Sequence, residues 1–236
     1  MDNAESLDAQ VRRDDPDRWL ASRFVADEAA RADVIAVYAL ELELARVPLV
    51  AHEPIMAEIR LTWWREAIEE IFAGKATRGH PVLTALAEAT RRRNLAQEPF
   101  EAMVEGRFSD IDPAPFEGEA AIQAYADGVA GAPLALALAV LGHADSAALR
   151  PAALAWTLAR LGHDAKRLPP GWSADETRGR GLAALDQARL AARQLSVEAF
   201  PAVAHLSLAG TRLRGRAVGA LEARARLTLA ILTGRI

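Results

Sequence analysis

Cysteine is absent from all 236 residues. Its absence excludes disulfide staples, thiolate nucleophiles and Cys-ligated metals, leaves only oxygen and histidine donors for a metal, and fits a reducing compartment. Long hydrophobic runs are missing too: Ala132 to Leu141, the longest, has about half of the roughly 20 residues that a membrane helix needs, so no bilayer span is expected. The opening residues mix Asp2, Glu5 and Asp8 with polar side chains and lack the basic-then-apolar order of an export signal. A cytoplasmic location is therefore expected, with peripheral attachment to the inner membrane left open. No Ser-His-Asp constellation, Gly-rich phosphate loop or His-Glu-x-x-His signature appears.

What the chain does have is apolar material in quantity, at 51% hydrophobic residues, enough for a large continuous core without a staple. One domain across residues 1–236 is expected, opening with a short flexible stretch over about 1–16. The net charge of −4 is unevenly spread: Arg178 to Ile236 carries ten arginines against Asp186, Glu198 and Glu222, a local +7 that leaves −11 elsewhere. A basic end of this kind suits anionic lipid, diphosphate or an acidic protein surface, or is simply a solvated helix face, while the acidic remainder argues against nucleic acid as the ligand.

Apolar residues recur at helical spacing nearly throughout, without sustained alternation of period two, so the fold class is all-α, a bundle of about ten helices. The spacing predicts helices over 17–28, 32–47, 54–73, 81–93, 99–110, 119–141, 147–161, 181–196, 199–208 and 216–232. Breaks are expected at Pro48, Gly74 to Pro81, Asp112 to Pro115, Gly142 and Leu168-Pro169-Pro170-Gly171. Gly128, Gly131 and Pro133 interrupt a strong helical pattern and predict a kink or a close helix crossing.

A helical bundle can hold Mg²⁺ between carboxylates one turn apart on a face that lines its cavity. Glu66 and Glu70 have that spacing, but Ile59, Trp63, Ala67 and Ile71 form the opposite, apolar face, which makes theirs a solvated, salt-bridged surface. Glu41 and Glu43 lie in a very apolar helix about 200° apart around its axis, so they cannot clasp one cation together. A single buried Glu paired with an Arg is the expectation there. His163, Asp164, Lys166 and Arg167 cluster after a helix end, either as a charged terminus or as a catalytic group.

Tyr38-Ala39-Leu40, Trp63-Trp64-Arg65, His80-Pro81-Val82, Gly106 to Asp110 and Tyr125 to Gly131 follow one another in a familiar order. Over roughly Asp17 to Leu208 the chain resembles the squalene and phytoene synthase family, which implies the all-α isoprenoid synthase bundle. Active members carry two D-x-x-x-D motifs that hold Mg²⁺ and substrate diphosphates on opposite walls of the cavity. Where the first would fall, this chain has Ala45, Arg46 and Leu49; of the second, only Asp164 survives before a shortened Arg167-Leu168-Pro169. Glu41, Glu43 and Asp164 are the residual motif positions, and Tyr38, Arg46 and Arg167 are the substrate-binding candidates that the resemblance implies. The segment Glu41 to Val47 looks closer to the family's non-catalytic branch, the assembly factors for respiratory complex I.

The resemblance thus implies a catalytically degenerate assembly or binding factor with a protein partner such as complex I subunits, no cofactor, and membrane contact through the basic C-terminal third. The alternative is a transferase that joins two prenyl diphosphates head to head with Mg²⁺, using Glu43 and Asp164 as ligands. A third reading is a non-catalytic binder of apolar lipid, with Trp63, Trp64, Trp156 and Phe72 lining its pocket.

Overall fold

Small polar residues and prolines set where the helices begin. In the computed structural model, which describes residues 6–51, 53–143, 145–161, 164 and 166–236, Ser6 accepts the Ala9 N–H to open α1 (Leu7–Asp14). Asp15 caps α2 (Pro16–Ser22) and Asp27 caps the long α3 (Glu28–Val50). Prolines at the first or second helical position start α4 (Pro54–Phe72), α5 (Pro81–Arg93) and α6 (Glu98–Phe108). Asn94, at φ 50°, ends α5 in the left-handed conformation that asparagine tolerates.

Next come α7 (Glu119–Ala126), a π turn (Asp127–Gly131) and α8 (Ala132–Val140), continuous along one axis, followed by α9 (Arg150–Leu161) and α10 (Ala174–Ala192). Two 3₁₀ turns (Phe200–Ala202 and Ala204–Leu208) lead into α11 (Ala209–Leu213) and α12 (Ala220–Thr233). No strand occurs among the described residues. The all-α class read from the hydrophobic spacing is the one found.

α3 is the axis of the bundle. Every residue from Asp33 to Glu41 is buried, because α1, α2, α4, α5, α6 and α8 surround it. Leu40, Leu44, Leu61, Ile68, Leu86, Phe100 and Leu136 fill the space between, each at most 1% exposed. α9 packs against α7, α10 and α11 on the other side of the π turn.

Of the kink or close crossing expected near Gly128, the close crossing is what occurs. The π turn widens the helix, a device common at functional sites, and brings Gly128 against Gly106 of α6. A methyl group on Gly128 would lie 2.8 Å from the Ala102 carbonyl oxygen and 3.0 Å from Gly106 Cα, so only glycine allows this approach. Gln123 and Arg150 both bond Asp127 at 2.7 Å and hold the turn.

Several expectations are corrected. The stretch read as a flexible opening forms α1 from Leu7, with Val11 fully buried, and Gln10 reaches across to Glu43. α3 passes Pro48, which sits in its last turn, where the missing N–H removes a single bond. α10 begins at Ala174, well before 181, because Ser173 accepts the Glu176 N–H as its cap. The segment 199–208 turns as 3₁₀ helix rather than α. By length and composition alone the 22-residue helix Glu119–Val140, with an 18-residue stretch of mean hydropathy 1.2, could cross a bilayer, as core helices of bundles also can, and half of that stretch is buried inside the protein.

Candidate functional site

Where α2, α3, α6 and α9 meet, the apolar core gives way to charge. Glu41 of α3 is 2% exposed and receives a hydrogen bond from Arg18 of α2 at 2.7 Å and another from Arg107 of α6 at 2.7 Å, one on each carboxylate oxygen. Arg160 of α9 stands 3.9 Å away with its side chain half exposed. Arg18 also pairs with Asp15 and lies 4.8 Å above the ring of the buried Tyr38. Arg107 continues the chain to Asp110 at 3.0 Å. Asp110 accepts in turn from Arg167, and from the Tyr125 hydroxyl at 3.3 Å. The Arg167 guanidinium lies against both Phe116 and Tyr125, 4.8 and 5.0 Å from their ring centroids, and the two rings pack on each other at 5.1 Å.

Burial pushes the Glu41 carboxyl up, but Arg18, Arg107 and Arg160 more than offset it, so the group is held below its ordinary value and stays ionised. The same balance, burial against Asp15 and Glu41, leaves Arg18 firmly charged. Burial drives the Tyr38 hydroxyl up, which keeps it neutral. Close by, His205 is pushed down to about 3 by burial and then by the positive charge of Arg18, and its ring meets Trp156 edge to face at 4.7 Å.

Two hollows open beside the network. One of about 210 Å³ is bordered by Arg107, Tyr125, Trp156, Thr157 and Arg160; the other, about 520 Å³, by Trp19, Leu42, Trp156, Arg160 and Arg212. The indole N–H of Trp156 and the hydroxyl of Thr157 are buried without a hydrogen-bond partner. The smaller hollow therefore offers donors and cations, and its bordering residues include no carboxylate.

The residues singled out in the sequence scatter around this centre. Glu41 is the buried Glu paired with arginine, with two partners rather than one. Glu43 points elsewhere, accepting from Gln10 of α1 at 2.5 Å and lying 3.6 Å from Arg46, as the angle between the two glutamates requires. Tyr38 and Arg167 belong to the network. Arg46 is exposed on the α1 side, 3.7 Å from Asp14. Asp164 is exposed and caps its own turn through the Lys166 N–H; His163 lies outside the described residues.

Glu66 and Glu70 both bind Arg78, which makes the salt-bridged outer face that their spacing suggested, and Arg65 pairs with Glu105 of α6. Of the aromatic pocket candidates, Trp156 borders both hollows, Trp63 and Trp64 border a separate cleft with His80, and Phe72 packs on Phe100. Missing from the sequence reading as site residues are Arg18, Arg107, Asp110, Tyr125 and Arg160. Three of these sit in the segments Gly106 to Asp110 and Tyr125 to Gly131 that carried the family resemblance, and that placement was the available signal.

The squalene/phytoene synthase family profile matches residues 11–163, well over half of the chain. The chain belongs to the squalene/phytoene synthase family. Among solved structures, squalene synthase HpnC from Alicyclobacillus acidocaldarius superposes with a TM-score of 0.68 at 19% identity, covering 95% of this chain and 91% of that one. A dehydrosqualene synthase in complex with ligand superposes with a TM-score of 0.78 at 13% identity, covering 96% and 94%. At these identities the likeness establishes the fold, the isoprenoid synthase bundle. NADH dehydrogenase (ubiquinone) complex I assembly factor 6 from Homo sapiens is 28% identical over 117 residues, half of this chain and 34% of that protein. The protein of the same name from Rattus norvegicus is 29% identical over the same length. The match thus spans about a third of the length of these curated relatives.

A family that works through Mg²⁺ invites a test of the donors. Mg²⁺ takes octahedral oxygen ligands, usually one or two carboxylates plus water and phosphate. Glu41 has both oxygens bound to guanidinium groups, Glu43 is turned to α1, and Asp164 is engaged in its own turn. No group of three or more His, Asp and Glu side chains among the described residues is placed to share a cation. These donors do not fit a Mg²⁺ bridge.

Proposed function

We propose that this chain is a catalytically degenerate member of the family that acts as an assembly or binding factor for a protein partner, in the service of respiratory complex I and peripheral to the inner membrane. The observation that carries this reading is the state of Glu41. This buried acid, one turn before the lost first motif, neutralises Arg18 and Arg107 instead of facing the hollow, so the bundle spends its central carboxylate on cohesion. With arginines at the hollow's mouth and Ala45, Arg46 and Leu49 at the acid positions, a diphosphate leaving group has no metal to leave on. The assembly role draws its support from the names of the curated relatives, across the half of the chain that they share.

Two measurements test it. Tagged protein is expected to enrich respiratory subunits from its host, and deletion to lower assembled complex I; absence of both results removes the assembly role. Titration calorimetry with a non-hydrolysable farnesyl diphosphate analogue is expected to show no gain in affinity on adding Mg²⁺. Mg²⁺-dependent binding would restore the head-to-head transferase, with Glu43 and Asp164 as ligands.

A further inference from the structure

Eleven large apolar side chains are exposed among the described residues, and five of them, Leu49, Val50, Ile55, Met56 and Ile59, fall at one tip where α3 ends and α4 begins. Leu49 is 82% exposed, and Val50, Ile55 and Ile59 each exceed half. Single exposed apolar residues are ordinary, whereas a cluster of this density marks a surface meant to be covered. Ile55 and Ile59 lie one turn apart and form a ridge of the kind that packs into the groove of another helix.

Beside the ridge runs a cleft of about 430 Å³, walled by Val50, Trp63, Trp64 and His80 and edged by Arg60 and by the Arg46–Glu43 pair. Arg60 has no ion pair among the described residues, whereas Arg46 is already ion-paired with Glu43 and Asp14 at 3.6 and 3.7 Å. The cleft therefore presents one unpaired guanidinium, that of Arg60, next to an apolar floor, a combination that recognises a carboxylate carried on an apolar segment. Glu53 and Glu58 are exposed between the apolar residues, so the tip has no basic excess with which to attract an anionic bilayer.

We infer that the α3–α4 tip is the docking surface for an amphipathic helix of a partner protein, whose apolar stripe covers Leu49, Ile55 and Ile59 and whose carboxylate pairs with Arg60. This surface rests on the assembly reading above and gives it a place on the molecule. Helix-in-groove docking needs such a row of anchors together with one charged contact that fixes register.

The test places a benzoylphenylalanine photocrosslinker at Ile59 and, separately, at Leu229 on α12, in the full chain expressed in its host. The expected result is a protein adduct at Ile59 whose crosslinked peptide has apolar residues at helical spacing next to an Asp or Glu. Arg60→Glu should lower that adduct about tenfold, and Leu49→Ser should lower it similarly. All three positions are exposed, so melting curves of the variants should overlay that of the parent. An adduct to a second copy of this chain, an adduct to lipid, insensitivity to Arg60→Glu, or adducts at Leu229 alone would each overturn the inference. Capture of respiratory subunits that survives Leu49→Ser with Ile59→Ser overturns the surface and leaves the assembly role standing. A charge-dependent Ile59 adduct to a protein outside the respiratory chain keeps the surface and removes that role.

Discussion

Replacing Glu41 by Gln asks how much of the bundle's stability its central carboxylate supplies. The substitution keeps the shape and one acceptor, but turns an NH₂ group toward a guanidinium and strips a counter-charge from two arginines that are at most 8% exposed. Removing one partner of a buried pair typically costs about 3–5 kcal/mol, because the remaining charge stays buried. Arg18 keeps Asp15 and Arg107 keeps Asp110, which places the expected cost near the lower end, about 3 kcal/mol. For a chain of this length that corresponds to a fall in Tm of roughly 6–12 °C.

Differential scanning calorimetry at pH 7 measures the shift, with Glu43→Gln as the comparison, since Glu43 sits in a partly exposed contact and its loss should cost under about 1 kcal/mol. The pH dependence adds a second check. Glu41 is held below its ordinary range in the folded chain, so its contribution is complete above the unfolded carboxyl value of about 4.3 and declines as pH falls toward the lower folded value. The gap between parent and Glu41→Gln should accordingly narrow on acidification below about pH 4.3. A Tm within about 2 °C of the parent at pH 7, or a gap that widens in acid, would refute the placement of this charge at the centre of the fold.

Gly128→Ala should destabilise the crossing of α6 with the π turn by about 1–3 kcal/mol, read from the urea midpoint, because the new methyl meets backbone rather than a movable side chain. His205 stays neutral in the folded chain until about pH 3, whereas the unfolded chain takes up that proton near pH 6.5. Stability should therefore fall through that window by up to about 1.4 kcal/mol per pH unit from this group. His205→Phe, compared with the parent by calorimetry between pH 7 and pH 5, should remove that part of the slope.

Much of this architecture was legible in the sequence, for reasons that particular residues make plain. The axis α3 announced itself because it is apolar on all sides, and the Gly128 crossing because glycines interrupt an otherwise continuous helical pattern. α1 escaped notice because its eight residues are mostly polar and it docks through Val11 and a side-chain bond from Gln10, too little periodicity for a short window to detect. α10 starts seven residues before the predicted Gly181, because its polar opening Ala174 to Arg180 shows little apolar periodicity. Gly181 is a packing residue, since a methyl there would strike the Leu213 side chain at 2.4 Å, and the Ser173 to Glu176 capping box was the better signal. The charge network was the least legible part. Glu41 could be suspected of being buried, but its partners lie 23 and 66 residues away, and no local pattern pairs residues over such distances.

That separation has a kinetic side. The chain of contacts from Asp15 through Arg18, Glu41, Arg107 and Asp110 to Arg167 closes only when α2, α3, α6 and the segment after α9 have docked. Loop-closure entropy makes the long-range contacts late, so φ-values near zero are expected for Glu41 and Arg167 in folding kinetics. Substitutions at these long-range positions should therefore speed unfolding while leaving the folding rate nearly unchanged. In the cell, the same charges govern the lifetime of each folded molecule against proteolysis whenever cleavage outpaces reclosing.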